Sequence, residues 1–319
     1  MRGRIRDLAP ACFAPVMATG IVSRALALAG ARGAANALLV VAVALYVPLF
    51  AAAAVRAVRH GDRVRAELRD PRRLFGHYTF VAASDVLASR LAATPVRPVA
   101  AGLCALAALV WVALAVATAR LPRSALAAAD GTWFLATVGL QSLVIALTSV
   151  RPGLVAAVPL WACGVLLYAA TLTVVVRGLL RRPPAPAGLT PAYWITMGAA
   201  AISALAGSQL SGGSPLLPGA AVTGAVAALW AWATLLIPAL VAAGVWRHGL
   251  RRVPLVYEPA LWCVVFPLGM YATATAQVTT GHGAHPLTPA VSPLAWTALV
   301  AWLAVQHRLV AARVRAAPP

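Results

Sequence analysis

The sequence predicts an all-α protein that crosses a membrane ten times as a single domain over residues 1–319. Hydrophobic residues make up 62% of the chain and charged residues only 10%, which leaves more apolar surface than a water-soluble domain can bury. Windows of roughly 20 apolar residues, the length of a membrane-spanning helix, recur along the whole chain. The arginines supply the third observation, because most of them lie in the connections on one side of such a membrane.

The ten apolar windows define ten predicted spans. In chain order these are 11–30, 34–55, 75–94, 98–119, 132–150, 153–176, 191–210, 217–246, 257–280 and 293–306. The 26 basic residues are all arginines, and the ones outside the predicted inner side are Arg24, Arg32, Arg90, Arg97 and Arg151. Cytoplasmic loops carry an excess of arginine, so we expect a multi-pass plasma-membrane protein with both termini in the cytoplasm. Nine spans would place the termini on opposite sides.

The start of the chain has a basic head followed by an apolar stretch, as a cleavable signal peptide does. Pro10, Pro15 and Arg24 interrupt that stretch, and its removal would spoil the distribution of arginines between the two sides. We therefore expect residues 11–30 to remain as the first span.

Several function classes are disfavoured by the composition. The net charge of +19 suggests a nucleic-acid partner, but arginines confined to short connections indicate membrane topology instead. The four cysteines stand singly in apolar segments, as small buried hydrophobic residues do. No motif for catalysis, metal or cofactor binding is found, so we expect neither an enzyme nor a cofactor. The histidines of "GHGAH" (281–285) could touch a metal, but a polar external loop is favoured because no cysteine or carboxylate lies nearby.

Polar residues are far more frequent in the odd spans than in the even spans. Polar groups that face lipid are costly, so the odd helices are expected to face an interior or a watery path. Each odd span also opens with aromatic residues. These openings recur about every sixty positions along the chain, which is typical of a repeated helical hairpin. These features predict five hairpins, with odd helices lining a central pore and even helices outside. The alternative is a bundle whose small residues only let backbones approach closely.

Helical spacing aligns many of the polar residues of the odd spans. Pairs that share a face are Thr19 with Ser23, Thr137 with Gln141, Thr196 with Ser203, and Thr273 with Gln277. Phe266 and Met270 lie on the same stripe as the last pair, beside Pro267, which bends the ninth span. The alternative for Phe266 is a packed core side chain in a kinked helix.

Asp85 is the one ionisable residue near the middle of a span. A carboxylate inside a membrane is costly and suggests a function, so Asp85 could carry a proton. It could equally form an ion pair, first with Arg24 on another helix, since Arg90 is poorly placed on the same helix. A path lined by hydroxyls, amides and arginines favours anions over cations.

The five odd spans resemble the tellurite-resistance/dicarboxylate transporter family, which includes malate permeases, sulfite exporters and slow-type anion channels. The motifs that carry the resemblance are "FAPVMATGIVS" (13–23), "RRLFGHYTFVAASDVLASRL" (72–91), "DGTWFLATVGLQSLVI" (130–145), "YWITMGAAAISALAG" (193–207) and "LWCVVFPLGMYATAT" (261–275). The resemblance implies a homotrimer whose subunits each hold a pore plugged by a phenylalanine of the ninth helix, here Phe266. Asp130 departs from the family, which often has asparagine there, and the inner spans hold fewer prolines than usual.

The resemblance implies transport of small anions, with C4-dicarboxylates such as malate expected first. Tellurite-linked export and sulfite export are alternatives within the same class, and an integral-membrane enzyme or a scaffold is the alternative from another class. Phe266 is the expected gate, and Arg24 and Arg90 are expected to attract anions. The expected pore-lining residues are Thr19, Ser23, Thr137, Gln141, Thr196, Ser203, Pro267, Thr273 and Gln277.

Overall fold

A computed structural model describes residues 5–210, 216, 218–281 and 285–316. Within these ranges the regular structure is entirely helical, which confirms the predicted all-α class. Ten helices of at least 14 residues are labelled here in chain order: α1 (Ala14–Leu28), α2 (Arg32–Arg59), α3 (Tyr78–Leu91), α4 (Arg97–Ala119), α5 (Leu135–Val150), α6 (Ala157–Arg181), α7 (Ile195–Ser208), α8 (Gly219–Val245), α9 (Trp262–Gly281) and α10 (Thr288–Ala316).

Helix length differs between the odd and even helices. Most even helices are longer than the predicted spans because they continue beyond the apolar windows; α10, for example, has 29 residues. In the part of the chain that the structure describes, seven helices are long and apolar enough to cross a membrane, namely the five even helices together with α5 and α9. Helices α1, α3 and α7 are shorter, and 14 residues extend only about 21 Å. A short helix is tolerated at membrane depth where other protein surrounds it.

The odd helices, called the inner helices below, contact one another in cyclic order. Each packs against the next odd helix, and α9 packs against α1 to close the cycle. Each even helix, called an outer helix below, packs on the inner helix before it and on the next one in the cycle. Burial follows this division, since 83% of the apolar segment is buried in α5 and in α9, against 17% to 33% in the outer helices.

Short 3₁₀ turns precede four of the inner helices: Leu74–His77, Gly131–Phe134, Pro191–Trp194 and Pro259–Leu261. These turns explain why the inner helices begin later than the predicted spans. Neighbouring turns pack closely, with the rings of Phe75 and Trp133 stacked at 4.5 Å. A Cβ on Gly131 would lie 2.4 Å from the carbonyl of Ala192, so only glycine fits there. The aromatic openings therefore form a connected layer at one end of the inner helices.

A buried ion-pair cluster holds the connection between α2 and α3. Glu67 ends the short helix Gly61–Glu67 and accepts two hydrogen bonds from the Arg56 guanidinium, at 2.8 and 2.9 Å. Arg73 and His77 approach the same carboxylate at 3.1 and 3.4 Å. Burial acts to raise the pKa of Glu67, but the hydrogen bonds and charge of Arg56 outweigh it and hold the pKa below its usual range.

Candidate functional site

Contacts on three sides fix the orientation of α9. On one flank the ring of Pro267 lies against Gly198 of α7, where a Cβ would come within 2.9 Å of the ring. On the other flank Gly269 lies against Ile21 of α1, where a Cβ added to the glycine would come within 3.0 Å of the Ile21 side chain. The outer side carries Tyr271, whose hydroxyl hydrogen-bonds Thr234 of α8 at 2.7 Å.

The remaining face of α9 points toward the axis that the inner helices enclose. At 100° per residue, Phe266, Met270 and Thr273 fall between the two flanks, about 100° to 160° around the helix from Tyr271. Phe266 and Thr273 are completely buried. Phe266, Met270 and Thr273 therefore share the face between the two flanks, whereas Pro267 contacts α7 and supports the helix from the side. Gln277 continues the stripe about one turn after Thr273 and is half-buried.

The hydroxyl stripe of α1 faces outward, which corrects the expectation that Thr19 and Ser23 line the axis. Thr19 accepts a hydrogen bond from Trp302 Nε1 of α10 at 2.8 Å. Ser23 donates to the carbonyl of Ala35 at 2.7 Å, on the side of α2. A hydroxyl on a membrane helix is satisfied by a neighbouring helix as readily as by water, so its presence does not specify the face.

Met17 and Arg24 occupy the face of α1 that points toward the axis. One flank of α1 is set by Gly20, where a Cβ would meet Val86 of α3 at 2.6 Å, and the other by the contact of Ile21 with Gly269. Met17 is completely buried. Met17 was absent from the predicted set, and Met270 was placed on the stripe of the ninth span but not among the pore-lining residues, because apolar residues carry no polarity signal. The positions of Gly20 and Gly269, which mark the flanks, are the signal that would have identified them.

The polar stripe of α5 also leads toward the outer layer. Gln141 Nε2 donates to the carbonyl of Trp161 on α6 at 3.1 Å, beside Gly164. The Oε1 atom of Gln141 and the hydroxyl of Thr137 are buried without a hydrogen-bond partner among the described residues. Gln141 thus joins α5 to α6. It does not face the axis, contrary to the prediction.

The two candidate residues of α7 are held by the helix and its neighbours. Ser203 donates to the carbonyl of Ala199 in its own helix at 2.7 Å, and its own carbonyl accepts from Trp161 Nε1 at 2.9 Å. Thr196 is 8% exposed. Among the described residues, no hydrogen bond connects either side chain to another polar side chain.

Two arginines lie at the ends of α1 and α3, opposite the aromatic layer. Arg24 Nη1 donates to Ser89 Oγ of α3 at 3.1 Å, and Ser89 is a contact that the sequence analysis missed. Neither Arg24 nor Arg90 forms an ion pair with any described residue. A guanidinium in this position therefore has capacity to bind an anion.

Asp85 is buried between α3 and α5. Its Oδ2 accepts a hydrogen bond from Ser142 of α5 at 2.9 Å, and its Oδ1 has no partner in the described part of the chain. The structure thus does not form the predicted ion pair of Asp85 with Arg24 or Arg90. Ser142 also donates to the carbonyl of Gly139, so the hydroxyl is shared between two acceptors.

The described ranges contain no group of three His, Cys, Asp or Glu residues that could hold a metal ion. The core of the "GHGAH" loop, positions 282–284, lies outside the described residues.

Comparison with known proteins identifies the family. A profile of the SLAC1 family, described as voltage-dependent anion channels, matches residues 7–310. An uncharacterized membrane protein of Mycobacterium tuberculosis, found in two strains, is 42% identical over 155 residues, which are 46% of this chain and 78% of the relative. Members of the SLAC1 family are channels and transporters, not enzymes. The family resemblance of the five inner helices is thereby confirmed, and this chain belongs to the SLAC1 family of voltage-dependent anion channels.

Proposed function

We propose that the chain conducts small anions along the axis enclosed by its inner helices. The observation that carries this proposal is Arg24, which lies on the axis-facing side of α1 and is not paired with a carboxylate of the described residues. An unpaired guanidinium at membrane depth is costly, and an anion that passes beside it would offset that cost.

Phe266 is the proposed gate. Its ring lies on the axis-facing stripe of α9 and is fully enclosed, while Pro267 and Gly269 fix the helix on both sides. Large apolar side chains on the axis exclude water, and a dewetted constriction stops ions. Beyond the gate, the stripe becomes polar at Thr273 and Gln277, where a hydrated anion could be received.

C4-dicarboxylates such as malate are the proposed substrates. Arg24 and Arg90 provide two positive charges at the same end of the inner helices, which suits an anion with two carboxylates. Sulfite and tellurite-related oxyanions are the alternatives, because their charge is also concentrated on oxygen atoms. The proposed assembly is a homotrimer in the plasma membrane with both termini in the cytoplasm, each subunit with its own path.

A proteoliposome uptake screen tests the substrate. Malate, succinate, sulfite, nitrate and chloride are offered in turn, with and without a pH gradient. We expect malate and succinate to enter faster than the inorganic anions, and Arg24→Gln to reduce uptake about tenfold, the effect of losing one charge-assisted contact. Arg151→Gln, at an exposed arginine of the same predicted side, is the matched control.

The pH-gradient arm of the screen tests Asp85 as a proton carrier. Asp85→Asn keeps an oxygen that accepts from Ser142, so the variant should fold. If Asp85 couples transport to protons, anion uptake by this variant should no longer depend on the pH gradient. Equal uptake of all five anions would contradict the proposed preference for C4-dicarboxylates, and an Arg24→Gln variant indistinguishable from Arg151→Gln would contradict the proposed path.

A further inference from the structure

An apolar groove opens between α8, α9 and α10, on the outer surface of the helix assembly. It encloses about 300 Å³ near the aromatic openings of the inner helices. Its walls are formed by Leu240, Ala243, Val264, Val265, Ala301 and Val305. Gly244 has no side chain, so the groove is open along α8 at this position, and an added Cβ would meet nothing within 4 Å. The space is therefore bounded by three helices and by the turn before α7, which adds Thr190 and Tyr193, and its walls are mostly apolar, as an acyl chain requires.

A basic cluster of Arg247, His248 and Arg308 closes one end of this groove. The Arg247 side chain is only 9% exposed, and its Nε has no partner among the described residues. Among the described residues its acidic contact is Glu258 Oε1, with which Nη2 forms an ion pair at 3.4 Å. Arg308 donates one N–H to the carbonyl of Leu255, which leaves its remaining donors for another ligand.

Local backbone geometry gathers this cluster. The last turn of α8 passes into a π-helical turn at Trp246–Leu250. Wider turns of this kind are rare and are frequently found at functional sites. His248 Nδ1 donates to the carbonyl of Val253 at 2.8 Å, which orients the ring and leaves Nε2 unused by that contact. Arg247 and His248, adjacent residues of this π-helical turn, thus both line the groove.

A second cavity of about 640 Å³ adjoins the first and shares Leu255 and Arg308 with it. It adds His307 and Arg315, so positive groups extend from the groove toward the water phase. From Leu240 to Arg247 the helix rises about 10 Å, which places an apolar slot directly beneath a cationic rim. The complementary ligand is an amphiphile that has an acyl chain and an anionic head.

We propose that this groove binds an anionic phospholipid, with its phosphate at Arg247, His248 and Arg308 and one acyl chain along α8 and α10. Basic pockets between membrane helices at the arginine-rich side are suited to anionic lipid headgroups. The site lies away from the axis that the inner helices enclose and does not depend on the proposed transport path.

Native mass spectrometry of the purified, delipidated protein in detergent tests the site. The probes are dioleoyl phosphatidylglycerol, dioleoyl phosphatidylcholine with the same chains, and soluble glycerol 3-phosphate. We expect retention of phosphatidylglycerol, and about fivefold weaker binding in Arg308→Gln, the change expected for one basic group at the membrane surface. Gly244→Leu should block the slot and abolish retention.

Two variants on the same helices serve as matched controls. Arg313→Gln removes an exposed arginine of α10, and Gly224→Leu adds the same side chain at an open position of α8; both should bind lipid as the original chain does. Equal retention of the two lipids would overturn the proposal, and so would binding of glycerol 3-phosphate as tight as that of the lipid. If Gly244→Leu changes the subunit number while lipid binding persists, the groove is an interface between copies and the proposal is wrong.

Discussion

At the scale of single residues, polarity proved a poor guide to direction. Thr19, Ser23 and Gln141 were expected to face the axis. Each instead forms a hydrogen bond with an outer helix, either with a side chain or with a backbone carbonyl of that helix. The stripe of α9 differs because Gly269 and Pro267 occupy its flanks and place Phe266 and Thr273 on the face between them. Close-packing positions are thus more informative than hydroxyls about which face points inward, since a hydroxyl finds acceptors on every side.

A pair of matched variants tests this difference. Thr19→Val and Thr273→Val each replace one fully buried hydroxyl with a methyl group of similar size. We expect Thr19→Val to leave anion uptake unchanged and to weaken the contact of α1 with α10 by about 0.6 kcal/mol, because Trp302 loses its acceptor. Thr273→Val should slow uptake severalfold, because it extends the apolar part of the axis. Proteoliposome uptake and thermal unfolding measure the two effects. Slower anion uptake by Thr19→Val than by Thr273→Val would refute the orientation of α1.

At the scale of elements, the 3₁₀ turns that open the inner helices hold one another in register. Gly131 lies directly against the backbone of the next turn, where an added Cβ would come within 2.4 Å of Ala192 and 2.5 Å of the Tyr193 nitrogen. The aromatic openings were visible in the sequence, but the 3₁₀ geometry was not. It depends on contacts between turns that lie about sixty residues apart.

Gly131→Ala tests the packing of these turns. Backbone atoms cannot rotate away as a side chain can, so we expect the variant to lose about 1–3 kcal/mol of stability and to melt at least about 3 °C lower. Gly102→Ala on the exposed side of α4 is the control, because a Cβ there meets nothing within 4 Å and alanine favours the helix. Equal melting temperatures for the two variants would contradict the close contact.

The cluster around Glu67 predicts a dependence of stability on pH. The pKa of Glu67 is lower in the folded protein than in the unfolded chain, so the folded state gains stability from this carboxylate above the unfolded pKa. That gain is lost as the pH falls through the folded pKa. We expect Glu67→Gln to cost about 3–5 kcal/mol at pH 7, because Arg56 then stays buried without its partner.

Thermal unfolding from pH 7 down to pH 3 measures this contribution. The difference in melting temperature between the original chain and Glu67→Gln should shrink below the unfolded pKa of glutamate, about 4.3. Asp7→Asn is the control, because the ion pair of Asp7 with Arg63 is solvent-exposed and contributes little. A difference that stays constant over the whole range would show that the charge of Glu67 does not stabilise the fold.

At the scale of the whole molecule, the contrast between odd and even helices was the most informative feature of the sequence. In a membrane, polar residues collect where protein surrounds them, and the cyclic contacts and burial of the inner helices follow that contrast. The lengths of the helices were harder to predict, because outer helices such as α10 continue past their apolar windows. The pairing of Asp85 could not be predicted either, since it depends on how α3 and α5 are rotated against each other.

The central claim is that Phe266 closes an anion path along the axis of the inner helices. Removing its ring leaves a gap where the apolar constriction was, while Pro267 and Gly269 keep α9 in place. Phe50→Ala is the matched control, because Phe50 is 39% exposed on outer helix α2.

The most direct measurement is therefore malate and chloride flux into proteoliposomes that contain the original chain, Phe266→Ala or Phe50→Ala at equal protein content. We predict that Phe266→Ala raises flux at least about tenfold, which corresponds to a barrier lowered by about 1.4 kcal/mol, and that Phe50→Ala does not. Unchanged flux in a Phe266→Ala protein that elutes and melts as a folded assembly would contradict the gate and leave Phe266 as a packed core residue.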